Sequence, residues 1–232
     1  AQRIAIPHSK PSLDDGDVSS VSEVIHSGQI VQGKVVEEFE KRVAKYIGVN
    51  GAVATSTGTS ALHLSLLAIG IKKGDYIAIP SFVCSALLNV VKYVGARPIL
   101  VDVDQKTYNI DVQYLKKRIR KSTRAIILPH QFGLPADIDE ISSLGIPVIE
   151  DCAQAIGAVY KGKKVGSFGR LSCFSFYATK VLSTGEGGMV VSNSKNLLKK
   201  IRDIREYDNK KNYSIRYNYK MTDIQAAMGI SQ

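Results

Sequence analysis

One lysine, Lys180, stands between a short apolar run, Leu171 to Phe176, and the glycine turn Gly185-Glu186-Gly187-Gly188. The run is apolar, aromatic and short, which reads as a buried strand. The glycines mark a tight turn before the next apolar run, Met189 to Val191. Backbone on both sides would hold this amine in place, which suits a lysine that must reach a fixed atom. The competing reading is a solvated surface charge, the ordinary fate of a lysine in a chain with 31 Lys plus Arg. Lys180 rises above that reading only because other segments supply what a reactive amine needs.

The first of these is Ser56-Thr57-Gly58-Thr59-Ser60, between a strand candidate and a helix candidate. Glycine lets backbone approach a ligand, hydroxyl residues cap the helix, and the free N–H groups with the helix dipole favour an anion. No GK[ST] follows and no GxGxxG is present, so neither a Walker loop nor a dinucleotide fingerprint is implied. Taken alone, the stretch reads equally as a capping turn. The second is Asp151, directly after the apolar strand candidate VIED, with Gln154 three residues on. A carboxylate at the end of a buried strand is costly unless it has a partner; a helix N-cap is the plain alternative. The third is Ser175, which could offer a hydroxyl to the same anion or serve simply as a strand serine.

The elements that must position these groups follow from periodicity. Residues 1–50 read as a short arm and helices, with Val35, Val36, Phe39, Val43, Tyr46 and Ile47 at helical spacing and Gly48 as a stop. From Gly51 strands and helices alternate. The strands are GAVATS (51–56), YIAIP (76–80), RPILV (97–101), RAIILP (124–129) and PVIED (147–151). The helices between them are 60–71, 84–94, 111–120 and 137–144. This alternation predicts an α/β fold with a mostly parallel central sheet covered by helices on both faces. We divide the chain into an arm with helices, 1–50, and a ligand-binding domain, 51–232. In such sheets ligands bind at the carboxyl ends of the strands, where Ser56–Ser60, Asp151 and Ser175 all fall.

Composition bounds the function classes. The 232 residues, 44% hydrophobic and 22% charged, are ordinary for a globular enzyme. No apolar run approaches a membrane span of about 20 residues, and AQRIAIPHSK lacks the apolar stretch of a signal peptide, so a cytoplasmic protein is expected. The net charge of +10 comes from separate clusters, among them Lys116 to Lys121 and Lys199 to Arg205. No nucleic-acid motif accompanies them, which favours solvated helix faces over a nucleic-acid partner. Cys84, Cys152 and Cys173 show no CxxC spacing and read as reduced core residues, with no metal site expected.

A lysine, an acid and an anion cup together match the needs of pyridoxal phosphate: a covalent anchor, a carboxylate opposite the pyridine nitrogen and a phosphate cradle. At this point the chain resembles the DegT/StrS-type sugar aminotransferases, of the aspartate-aminotransferase fold type. GTSALHLSLLAIGIKKGDYIAIPSF, ARPILVDVD, VIEDCAQAIGA, FSFYATKVLSTGEGG and RYNYKMTDIQAAMG each resemble a family block, in the family's order. The resemblance implies that Lys180 is the anchoring lysine, Asp151 the acid at the ring nitrogen and Gln154 the residue beside the ring. Gly58, Thr59 and Ser175 match phosphate contacts. Asn218 matches an asparagine that reaches the phosphate of the neighbouring subunit's cofactor, which implies a homodimer with a shared active site.

Two departures stand out. Where the family often stacks an aromatic side chain on the cofactor ring, this chain has Cys84, so the ring would be packed more loosely or by Phe82 or another side chain. The family also continues into a smaller C-terminal domain that closes over the substrate, which the resemblance places beyond Gln232. The activity implied is transfer of an amino group from an amino acid, glutamate first, to a nucleotide-linked keto-deoxy sugar for surface polysaccharide or amino-sugar synthesis. Two alternatives are a non-catalytic cofactor-binding or regulatory protein and a related sugar dehydratase, although dehydratases carry histidine where this chain has Lys180. A nicotinamide reductase is disfavoured, because Tyr177 and Lys180 are spaced YxxK rather than YxxxK.

Overall fold

The alternation from Gly51 onward builds a single seven-stranded sheet in the computed structural model, which describes residue 7 and residues 9–232. The first residues of the expected arm lie outside the described residues. The sheet contains β1 (Gly51–Thr55), β2 (Tyr76–Pro80), β3 (Arg97–Val101), β4 (Thr123–Pro129), β5 (Val148–Asp151), β8 (Leu171–Ser175) and β9 (Gly188–Ser192). Their order is β1-β9-β8-β5-β4-β2-β3. β9 is antiparallel to both its neighbours, and the other pairings are parallel.

The central strands are apolar on both sides because both faces are covered. Along β4, Ile126 and Leu128 enter one core layer while Ala125 and Ile127 enter the other. The second layer is filled by α3 (Gly58–Ala68), α4 (Ala86–Tyr93) and α7 (Lys195–Arg205). α2 (Lys34–Ile47), α5 (Val112–Arg118), α6 (Ile138–Ser142) and α8 (Asp223–Ser231) contribute to the first. α1 (Asp15–Ser27) packs on α8. α3 is buried on nearly every side, Ser60, His63 and Ser65 as well as Leu62, Leu64 and Leu66, which fits a helix enclosed in the fold. α2 is amphipathic: Val36, Phe39, Val43 and Ile47 point inward at helical spacing and Gly48 ends it with φ 86°.

Several elements differ from expectation. Lys199 to Arg205, read as a basic cluster, is part of α7, whose Leu197, Leu198 and Ile201 are buried and whose lysines face solvent. α8 begins at a capping box formed by Thr222 and Gln225. A small hairpin, β6 (Val159–Tyr160) with β7 (Lys163–Lys164), was not anticipated because its residues are polar and its strands are only two residues long. The outer edge of β1 is closed by side chains. Glu40 accepts the Ala54 N–H at 2.8 Å, while Arg202 and Arg205 donate to the carbonyls of Ala52 and Ala54 and also to Glu40. These bonds occupy the groups that a further strand would use.

Candidate active site

Lys180 owes its position to a hairpin. β8 and β9 pair Ser175 with Gly188, and the ladder continues past both strands. Phe176 N–H donates to Gly187 O at 2.9 Å, Thr184 N–H to Phe176 O at 2.8 Å and Ala178 N–H to Gly185 O at 3.1 Å. Lys180 sits beyond that last bond, with its own N–H on Tyr177 O at 2.8 Å. Gly185 turns the chain at φ 77°, a conformation that favours glycine.

The helix that follows β1 presents open backbone donors at its start. Thr57 caps α3: its hydroxyl accepts the Ser60 N–H, and the Ser60 hydroxyl accepts the Thr57 N–H, each at 3.0 Å. The N–H groups of Gly58 and Thr59 are left without partners among the described residues, at the positive end of the helix dipole. Close packing explains two glycines here. A Cβ on Gly58 would meet the Ser175 Cβ at 2.8 Å, and one on Gly188 would overlap the Thr57 carbonyl. The N-terminus of α3 therefore lies directly against the end of β8.

Asp151 closes β5 and is buried. Its Oδ1 accepts the Ala153 N–H at 3.0 Å, and no donor among the described residues reaches Oδ2. Burial pushes its carboxyl above the ordinary carboxylate range; the Ala153 N–H, any charge on His130, and Lys180 act the other way. Its neighbour Glu150 is fully enclosed, yet burial is outweighed there. The His130 ring and the N–H groups of Gly166 and Gly169 hold it below the usual range. The Cys152 and Cys173 thiols are raised by burial, which leaves them unreactive.

These groups meet in one cavity of about 340 Å³. Gly58, Thr59, Cys84, Asp151, Gln154, Ser175 and Lys180 all line it, Gly58 and Thr59 from the start of α3 and the others from strand ends and the loops that follow them. Asn218 is not among the lining residues and is exposed. It is carried between Tyr217 and Tyr219, whose rings stack at 5.0 Å and whose N–H groups donate to the carbonyls of Ile204 and Arg205 at the end of α7. Phe82 does not line the cavity; its ring packs on Tyr108 at 5.6 Å. A wider groove of about 780 Å³ between α2 and α7 is lined by Lys41, Lys45, Lys195, Lys199 and the buried Glu40, whose carboxylate is already taken by the Ala54 N–H, Arg202 and Arg205.

The residues present fit pyridoxal phosphate. A buried carboxylate with an open oxygen faces a cavity that also holds a lysine, and two unpaired N–H groups with a serine hydroxyl stand ready for a phosphate. Sequence reasoning missed His130, Gln131 and Glu186, which line the same space. His130 carries the signal that flagged Asp151, a polar residue at the carboxyl end of a buried parallel strand, and could have been found by it.

The sheet order, with chemistry at the strand ends, is the fold of the pyridoxal-phosphate-dependent aminotransferases of the aspartate-aminotransferase type. Residues 11–232 match the DegT/DnrJ/EryC1/StrS aminotransferase family, and the chain belongs to it. It is 41% identical over 240 aligned residues to a GDP-perosamine synthase of Escherichia coli O157:H7, covering 98% of this chain and 65% of that protein. The structure superposes on an aminotransferase from Psychrobacter cryohalolentis with TM-score 0.90 at 34% identity, over 95% of this chain and 62% of that one. A putative sugar aminotransferase, Spr1654, from Streptococcus pneumoniae in its PLP-form gives 0.90 at 27% identity, over 97% and 65%. The chain thus spans a little under two thirds of the length of each of these proteins.

Proposed function

We propose that the protein is a pyridoxal-phosphate-dependent aminotransferase that moves an amino group from an amino acid, glutamate first, to a nucleotide-linked keto-deoxy sugar in surface polysaccharide or amino-sugar synthesis. The observation that carries this reading is the convergence of Lys180, Asp151 and the open N-terminus of α3 on one cavity. When bound there, the cofactor supplies an electron sink for negative charge at the donor's α-carbon. Lys180 would be the amine that holds it and, with its amine free, the group to accept a proton from the donor's α-carbon as a base and return one as an acid. Asp151 would keep the proton on the pyridine nitrogen, and Gln154 would lie beside the ring. The N–H groups of Gly58 and Thr59 and the Ser175 hydroxyl hold the phosphate. Asn218, exposed on a pinned segment, is suited to reach the phosphate in a second copy of the chain, which makes the working form a homodimer. The three cysteines are free thiols, in keeping with a reducing compartment such as the cytoplasm.

The test begins with borohydride reduction in the presence of pyridoxal phosphate, followed by peptide mass analysis. A stable adduct on Lys180 is expected, and an adduct that persists in Lys180→Ala ends the assignment. The protein is then assayed with glutamate against a panel of nucleotide-linked keto sugars. A GDP-linked sugar comes first, because the Escherichia coli relative is named for one. A visible band that does not change on adding glutamate would mark a non-catalytic binder instead. Release of water from the sugar without amine transfer would mark a dehydratase, a reading that the lysine at 180 opposes.

A further inference from the structure

The loop between β4 and α6 forms one wall of the cavity and is tied down through His130. The His130 Nε2 lies 3.0 Å from Glu150 Oε2, and both side chains are fully buried. The Nδ1 lies 3.1 Å from the Ala136 backbone nitrogen, whose N–H points at it. A backbone N–H only donates, so Nδ1 must present a lone pair, and the ring proton belongs on Nε2, donated to Glu150. Glu150 takes four more bonds, from the N–H groups of Gly166, Phe168 and Gly169 and from the Ser172 hydroxyl, at 2.6–3.0 Å. A carboxylate accepts all five without a proton of its own. His130, Glu150 and Cys152 lie close enough together to suggest a metal site, but both ring nitrogens are already committed.

The same residue reaches the site by its backbone. His130 N–H donates to the Asp151 carbonyl at 3.2 Å. The next residue, Gln131, donates its N–H to Asn109 Oδ1 at 3.0 Å and its amide to Phe82 O at 2.8 Å. Phe132 N–H donates to Gln154 Oε1 at 3.2 Å. A shift of the imidazole would therefore be felt at Asp151, Gln131 and Gln154 together.

We propose that His130 is a positioning residue for Asp151: held as the neutral Nε2–H tautomer between Ala136 and Glu150, it fixes the end of β5 and leaves the Asp151 charge unpaired for a protonated ring nitrogen in the cavity. An imidazolium at this place would repel the Ala136 N–H and would compete with the ligand for Asp151. The positioning half of this inference rests on the reading that the cavity takes pyridoxal phosphate; the tautomer half does not.

Two measurements test it. The first uses nitrogen-15 NMR of the imidazole rings in the cofactor-free protein at pH 7, with the His130 signal identified by its loss in His130→Gln. One protonated nitrogen, Nε2, and one bare nitrogen, Nδ1, are expected; a doubly protonated ring or an Nδ1–H ring overturns the proposal. The second titrates pyridoxal phosphate into wild type, His130→Ala and His130→Gln, following the visible band. His130→Ala should bind about tenfold more weakly with a displaced absorption maximum. His130→Gln, which has both a donor and an acceptor, should recover most of both. Equal affinity and an unchanged band in His130→Ala overturn the positioning role, and if that variant does not fold the NMR result decides. A wild type that shows the expected tautomer and binds no pyridoxal phosphate would instead sink the functional reading.

Discussion

Gly58 stands so close to Ser175 that a methyl group on the glycine would lie 2.8 Å from the serine Cβ. That approach brings the first turn of α3 against the end of β8, so that two N–H groups and one hydroxyl can share an anion. Gly58→Ala must push the two apart. Overpacking of this kind costs about 1–3 kcal/mol, with Tm falling about 2–4 °C per kcal/mol in a chain of this size. Phosphate affinity should drop by about tenfold. The double variant Gly58→Ala, Ser175→Gly makes room and should regain Tm without regaining affinity, because the hydroxyl is gone. Calorimetry and a cofactor titration on the same samples separate the two effects.

Asp151 should destabilise the empty protein that it serves. Its folded-state carboxyl is raised above the ordinary value of 3.8 by burial. Between those two values the native chain holds a proton that the unfolded chain has lost, so stability falls as pH rises through that window. Asp151→Asn removes the cost. The cofactor-free variant should melt higher than wild type at pH 7, by about 2–4 °C for each kcal/mol recovered, and the gain should vanish as pH approaches 3.8. Cofactor affinity should move the opposite way. A variant no more stable than wild type at pH 7 contradicts the argument.

Glu40 makes a comparable case at the other side of the sheet. It is nearly buried and joins Arg205, which is also buried, to the Ala54 N–H on the free edge of β1. Glu40→Ala leaves the buried Arg205 with only Glu206 at 3.6 Å as a counter-charge and uncovers the Ala54 N–H, a loss of about 3 kcal/mol. Arg202→Ala should cost about 1 kcal/mol or less, because that side chain is 46% exposed and solvent screens its pair. Urea unfolding measures the difference, and light scattering should show Glu40→Ala associating through the uncovered strand.

The order of the strands from Gly51 to Asp151 was legible because each is a short apolar run ended by a polar or glycine signal. The lysine, the acid and the anion cup were legible because each falls at a strand end, where side chains can escape the core. What the pattern could not show was direction and distance. Nothing in Met189 to Val191 says that β9 runs against its neighbours. Glu150 reads as one letter of a buried strand, and only the fold brings Gly166, Phe168, Gly169, Ser172 and His130 around it. α7 was hidden because its five basic residues, Lys195, Lys199, Lys200, Arg202 and Arg205, outnumber the three apolar residues that bury it.

Cys84 offers a gain-of-affinity test. Cys84 is exposed and lines the cavity together with Asp151 and Ser175, and Phe82 packs instead on Tyr108. A flat pyridine ring bound there would meet a small sulfur where an aromatic face could lie against it. Cys84→Tyr supplies that face from an exposed position, so the folded chain should lose little stability. Aromatic stacking is worth about 0.5–1.5 kcal/mol beyond the area it buries, which predicts pyridoxal phosphate binding about two- to tenfold tighter. Cys84→Ala should change affinity by less than that. Equal dissociation constants for Cys84→Tyr and Cys84→Ala, measured by quenching of intrinsic fluorescence, would mean that the ring does not lie against residue 84.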